Sequence, residues 1–151
     1  MNDANLSQLI LNDEARIAEA IGTGAAWEIW MQVELVILFR QAGIQAAREV
    51  AYPNPHQNLH MDALAQDNQG QYVIELKVES ANNAGTAVLN AAQQDIVKIA
   101  NHPTPNPGTR WVAAISYSVP ARNALQNFAA NQNNNAIYNM GNNIGVLVVT
   151  V

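Results

Sequence analysis

The sequence has no cysteine, little charge and almost no lysine. Without cysteine there is no disulfide framework and no thiolate metal site, so any metal must be held by oxygen or nitrogen ligands. Charged residues make up 13% of the 151, about half the share usual in soluble domains. The polar surface therefore relies on Asn, Gln and Ser. A formal net charge of −5 argues against broad non-specific binding to duplex phosphates. The lysines are only Lys77 and Lys98. The chain does not open with a basic segment followed by a long apolar run, so no signal peptide is expected and a cytoplasmic location is. The most apolar run, 33–39, is too short to cross a bilayer and carries Glu34, so no membrane partner is expected.

What is present suits a folded core. Apolar residues are 49% of the chain, and its length fits one domain spanning residues 1–151. Leu6, Leu9, Ile10, Ile17 and Ile21 recur at helical spacing and predict a helix over 6–21. After the break at Gly22-Thr23-Gly24, residues 25–42 predict a second helix, ended by Gly43. It is apolar nearly all round, which predicts deep burial. Strands are expected at 44–52, 59–66 and 71–79. Pro53-Asn54-Pro55 closes the first, and Asp67-Asn68-Gln69-Gly70 turns between the other two. A helix at 82–100, a proline-rich loop, a strand at 111–117 and a helix at 120–130 follow. The Asn-rich stretch 131–143 reads as a surface loop, and 145–151 as a buried strand. A meander followed by β-α-β units implies a mixed sheet with helices on both faces.

The chemistry concentrates in residues 60–80. Side chains alternate along a strand, so Ile74, Leu76 and Val78 should face the core, with Glu75, Lys77 and Glu79 on the other side. A buried row of charges needs a reason, such as a metal. Pairing about a turn at Asn68-Gln69 brings Asp62, expected to share a face with His60 and Leu64, to the level of Glu75. Two carboxylates are hard oxygen ligands suited to Mg²⁺ or Mn²⁺. Lys77, one pleat away, would orient or help deprotonate a water, or stabilise charge on a phosphate.

Two helical residues join them. Glu34 has Met31, Ile37, Trp30, Leu38 and Trp27 at helical spacing, so it should point along an apolar stripe toward the sheet, where a metal or Lys77 would be its partner. Glu28, by the same reading, is solvated. Leu89, Ile96 and Val97 flank Gln93 and turn it inward, whereas Gln94 faces Asn90 and Lys98. Plainer readings stand beside these. Glu75 and Lys77 could form a cross-strand ion pair on a solvated face, Gln93 could be an ordinary core-edge amide, and Glu79 could be solvated. His56 and His60 follow a proline in an extended setting, which disfavours a histidine metal pair. The three tryptophans read as core, and Arg40 and Arg48 as surface ion-pairing groups.

Asp62, then Glu75-Leu76-Lys77, preceded by a helix carrying Glu34 and followed by one carrying Gln93, resembles the PD-(D/E)XK nuclease superfamily. Met61 stands where that family often has proline. The resemblance implies a restriction-endonuclease-like fold, an α/β mixed sheet. Its core order is α-β-β-β-α-β, here with an extra N-terminal helix and a C-terminal α-β extension. It also implies that Asp62, Glu75, the Leu76 backbone carbonyl and Glu34 bind the metal, Mg²⁺ or Mn²⁺. Lys77 would assist the water and Gln93 would support the site. The expected activity is metal-dependent endonucleolytic hydrolysis of phosphodiester bonds, with DNA favoured over RNA. The acidic balance leaves little duplex-binding surface, so a homodimer, or a recruiting or inhibiting protein partner, is expected. The alternative is a nuclease fold that no longer cleaves and serves as a binding or assembly module.

Overall fold

The computed structural model describes residues 1–24 and 26–151. Its elements run α1 (Asp3–Leu11), α2 (Glu14–Gly22), α3 (Glu28–Gln41), β1 (Gln45–Ala51), β2 (His60–Asp67), β3 (Gly70–Val78), α4 (Ala87–Ala100), β4 (Gly108–Ser116), α5 (Val119–Ala130), β5 (Ala136–Met140) and β6 (Gly145–Thr150). The strands form one open mixed sheet in the order β1-β2-β3-β4-β6-β5. β3 and β4 are parallel, joined through α4, and all other neighbours are antiparallel. Among the described residues no helix is long and apolar enough to cross a membrane.

Local chemistry sets the boundaries. The Asn2 and Asn5 side chains each accept from the other's backbone N–H and start α1 as a capping box. Asn12 and Asp13 then end it, so the expected helix over 6–21 is two helices. A second helix was expected from residue 25, which lies outside the described residues; α3 starts at Glu28. Asp67 Oδ1 accepts from the N–H groups of Gln69 and Gly70 and closes the two-residue turn between β2 and β3. A Cβ at Gly70 would lie 2.9 Å from the carbonyl oxygen of Pro107, so only glycine lets β4's approach run this close. α4 begins at Ala87 rather than 82, because turns occupy the intervening residues, with Gly85 at φ +57°. Ser118 caps α5 by accepting from Ala121 N, and Pro120 sits in its first turn. The Asn-rich stretch holds the edge strand β5, which pairs with β6, so it is not simply a loop.

Both faces of the sheet are buried. Ala63, Ile74, Leu76, Val78, Ala113, Ile115, Val146 and Val148 pack against Leu6, Ile10, Ile17, Met31, Leu35 and Phe39 of α1, α2 and α3. Tyr52, Val73, Val112, Ala114, Leu147 and Val149 pack against Val88, Ala92 and Ile99 of α4 and Ala121 and Leu125 of α5. Each fully buried Val, Ile or Leu is worth about 1.5–3 kcal/mol. α3 is less enclosed than its composition predicts, since Ile29, Val33 and Ile37 stand exposed as a stripe.

Candidate metal centre

The site forms where β2 and β3 part. Their backbone pairing runs from Asp67↔Gly70 to Ala63↔Ile74. One further step sets Asp62 opposite Glu75. There the ladder is continued by a side chain, because Leu76 N–H donates to Asp62 Oδ2 at 2.7 Å. β1 bends at the same level. Its pairing with β2 skips Glu49, which has φ +54°. Met61 and Ala63 consequently pack on opposite faces of the sheet, although a regular strand would put them on one. This local reversal turns the Asp62 carboxylate in between the strands.

Three carboxylates converge there. Oxygens of Asp62, Glu75 and Asp95 lie within 4.8 Å of one another, and all three residues are buried. Asp95 comes from α4, on the stripe Val88, Ala92, Asp95, Ile99 that faces the sheet. Gln32 Nε2, from α3, donates to Asp62 Oδ1 at 2.8 Å. Glu75 accepts from the Tyr52 hydroxyl at 2.5 Å and from Lys98 Nζ at 2.7 Å. Lys77 Nζ lies 3.2 Å from Glu28 Oε1 and 3.2 Å from Asp95 Oδ2. Helices from both faces thus reach the same point at the end of the sheet.

The charges do not balance within the protein. Among the described residues, Glu28, Asp62, Glu75 and Asp95 are met by the ammonium groups of Lys77 and Lys98, which leaves two negative charges in excess when all are ionised. Burial accordingly pushes the Glu75 carboxyl up to about 7, against the opposing pull of Lys98 and Tyr52. Burial also raises Asp62, partly offset by the Leu76 N–H and the lysines. Burial alone would lower Lys77, but Asp95, Glu28 and Asp62 outweigh it and hold the amine protonated. One buried acceptor oxygen, Gln32 Oε1, accepts no hydrogen bond, and Asp95 Oδ2 has the Lys77 ammonium as its ion-pair partner. Buried polar atoms ordinarily find partners. One divalent cation among these oxygens would neutralise the excess, and an all-oxygen donor set of this kind suits a hard cation.

No family model, curated protein or solved structure matches this chain significantly. The site therefore rests on its own geometry.

Measured against the sequence, Asp62, Glu75 and Lys77 come together as expected, while Leu76, whose carbonyl was expected to bind the metal, meets Asp62 through its N–H. Glu34 does not join them. It is buried, yet Arg16 Nη2 meets its Oε2 at 3.0 Å, and Asp13 is the other charge that acts on it. From the same helix it is Glu28, expected to be solvated, and Gln32, one turn on, that reach the cluster. Gln93 is exposed, as is Gln94; the residues of α4 that reach the cluster are Asp95 and Lys98. Glu79 is buried rather than solvated. It accepts from the N–H groups of Gly85, Tyr117 and Ser118 and from the Ser118 hydroxyl, tying the β3–α4 connection to the β4–α5 connection. Sequence reasoning missed Gln32, Asp95, Lys98 and Tyr52. Only Asp95 left a clear signal, an acidic residue in phase with Val88, Ala92 and Ile99.

Proposed function

We propose that the protein is a metal-dependent phosphodiesterase acting on nucleic acid, a nuclease of the PD-(D/E)XK kind, with DNA favoured over RNA. The observation that carries this reading is the convergence of Asp62, Glu75 and Asp95, with two lysines beside them and the buried Gln32 Oε1 accepting no hydrogen bond. The order helix, three antiparallel strands, helix, parallel strand supports the restriction-endonuclease-like topology. Glu34 and Gln93, carried over by resemblance, have their places near the cluster taken by Gln32 and Asp95.

Asp62, Glu75 and Asp95 would hold the cation. When bound, a divalent cation polarises a phosphate oxygen and lowers the pKa of a water. The chain's own groups supply the rest. Asp62 is fixed by Leu76 N–H and Gln32, so its carboxylate cannot swing away from the cluster. Tyr52 fixes Glu75 in the same way. Lys77, held between Glu28 and Asp95, would orient a water by donating to its oxygen and stabilise phosphate charge. In hydrolysis the water oxygen forms the new P–O bond and gives up a proton to solvent, the ester P–O bond breaks, and the leaving oxygen takes up a proton.

Plasmid DNA and structured RNA incubated with Mg²⁺, Mn²⁺ or EDTA test the reading. Cleavage should require the cation and disappear in Asp62→Asn. Cleavage indifferent to both EDTA and Asp62→Asn would refute it. A metal-induced rise in melting temperature without any cleavage would favour the non-cleaving binding module instead.

A further inference from the structure

Both lysines of the chain stand at the acidic cluster, and they are held differently. Lys77 Nζ lies between two carboxylates, Glu28 and Asp95, at 3.2 Å from each. Lys98 Nζ has one carboxylate, Glu75 at 2.7 Å, and one neutral acceptor, the His60 carbonyl oxygen at 2.9 Å. The Tyr52 ring centre is 5.6 Å away. Glu75 and Asp95 are two of the three groups that converge to hold a cation. A cation there competes with each lysine for one carboxylate, and the outcome for the two differs. Lys77 keeps Glu28. Lys98 keeps only a neutral carbonyl and the face of an aromatic ring.

An ammonium left with neutral partners at a partly open site binds the next anion that arrives, and for this site that anion is a phosphate. Lys98 is placed for it. Its side chain is 28% exposed against 20% for Lys77, and it projects from α4 on a flexible four-carbon stem, so its head can move while the helix stays fixed. Lys77, on the central strand β3, is flanked by carboxylates from α3 and α4 and has less freedom.

We propose that Lys98 is a second catalytic lysine, parked on Glu75 until a divalent cation takes that carboxylate and frees the ammonium to contact the phosphate being cleaved. This rests on the phosphodiesterase reading above. It divides the work between the two lysines, with Lys77 fixed at the water and Lys98 mobile at the phosphate. It also means that the metal-free site is closed by its own side chain.

The scarcity of lysine makes the test direct. Brief labelling with an acetylating reagent, followed by peptide mass spectrometry, reads Lys77 and Lys98 separately in the wild-type protein. Samples carry either EDTA or saturating Mg²⁺, with saturation judged from the melting temperature of the same samples. Labelling of Lys98 should rise severalfold with Mg²⁺, while that of Lys77 changes little. A melting-temperature rise without a gain at Lys98 overturns the parked lysine and leaves the metal site standing. No melting-temperature rise with Mg²⁺ or Mn²⁺ overturns the metal reading and this inference with it. In parallel, Lys98→Met should keep the metal-induced melting shift and lose roughly 10²-fold in plasmid cleavage, with Lys98→Arg restoring part of it. Wild-type cleavage by Lys98→Met overturns the role, and if that variant does not fold the labelling decides alone.

Discussion

Two of the places where the protein buries carboxylates differ in what meets them. Glu34 sits between α2 and α3 with one partner, the Arg16 guanidinium, whose side chain is 56% exposed. Asp62, Glu75 and Asp95 come from two strands and a helix to one point, with two lysines, a tyrosine and a glutamine around them. Each place has an acceptor oxygen without a partner, so burial and an orphaned oxygen do not by themselves make a site. The difference is number. One carboxylate against one guanidinium closes as an ion pair, which fastens one helix to the next. Four carboxylates against two ammonium groups leave an excess that a retained proton or an outside cation must balance.

The sharpest way to break this comparison is to neutralise one acid in each place. Asp62→Asn keeps an oxygen to accept from Leu76 N–H, so the strands should stay joined. It should nevertheless abolish the metal-induced rise in melting temperature and lower phosphodiester cleavage by about 10³-fold. Glu34→Gln should leave the melting shift intact and cleavage within about twofold. The reverse result would move the metal to α2 and α3 and undo the assignment.

Stability should separate the two places in the opposite sense. Arg16→Met strands a buried carboxylate. Removing one partner of a fully buried pair costs about 3–5 kcal/mol, but this guanidinium lies largely in water, so about 1–2 kcal/mol is expected. Urea unfolding monitored by tryptophan fluorescence would show it. The metal-induced shift should survive. A loss of metal response in Arg16→Met would mean that the two places communicate.

The hairpin half of the cluster was legible because strands leave little freedom. A period of two and a two-residue turn fix the register, so the level of Asp62, Glu75 and Lys77 follows from the pattern, whereas the reversal between Met61 and Ala63 does not. The helical half was not. α3 is apolar nearly all round, so its sequence carries no phase, and the choice between Glu34 and Gln32, two residues apart, could not be made from spacing. On α4 the buried stripe is Val88, Ala92, Asp95 and Ile99. Reading it through Leu89, Ile96 and Val97 rotates the helix, and Val97 is in fact 69% exposed. Tyr52 lies just beyond β1 and reaches Glu75 across the sheet, and Lys98 reaches it from α4. Such contacts belong to tertiary packing and leave no local mark.

A smaller effect should appear with pH. The folded protein holds the Glu75 proton up to about 7, whereas the ordinary glutamate value is 4.5. Between those values the folded state binds more protons than the unfolded one, so metal-free stability should fall as pH rises from about 4.5 to about 7. Melting temperatures across that range would show the slope. Glu75→Gln should remove much of it, and Glu34→Gln, whose carboxyl is also raised by burial, a smaller part. Saturating Mg²⁺ should reverse the slope, because the cation binds the deprotonated carboxylates. A metal-free slope that vanished in Glu34→Gln and persisted in Glu75→Gln would place the perturbed acid in the wrong centre.

The smallest contrast sets two glutamines against each other. Gln32 donates to Asp62 from α3, while Gln93 is exposed on α4. Truncating either to alanine removes the same amide, so any difference reports placement alone. Gln32→Ala takes a donor from a charged acceptor, a loss of about 1.5 kcal/mol or more. Because that donor holds a metal-binding carboxylate in place, cation affinity should also fall by about tenfold. Gln93→Ala should stay within about 0.5 kcal/mol of wild type with unchanged affinity. Calorimetric titration with Mn²⁺ measures both. If Gln93→Ala proved the costlier change, α4 would present a different face to the sheet, and Asp95 would leave the cluster with it.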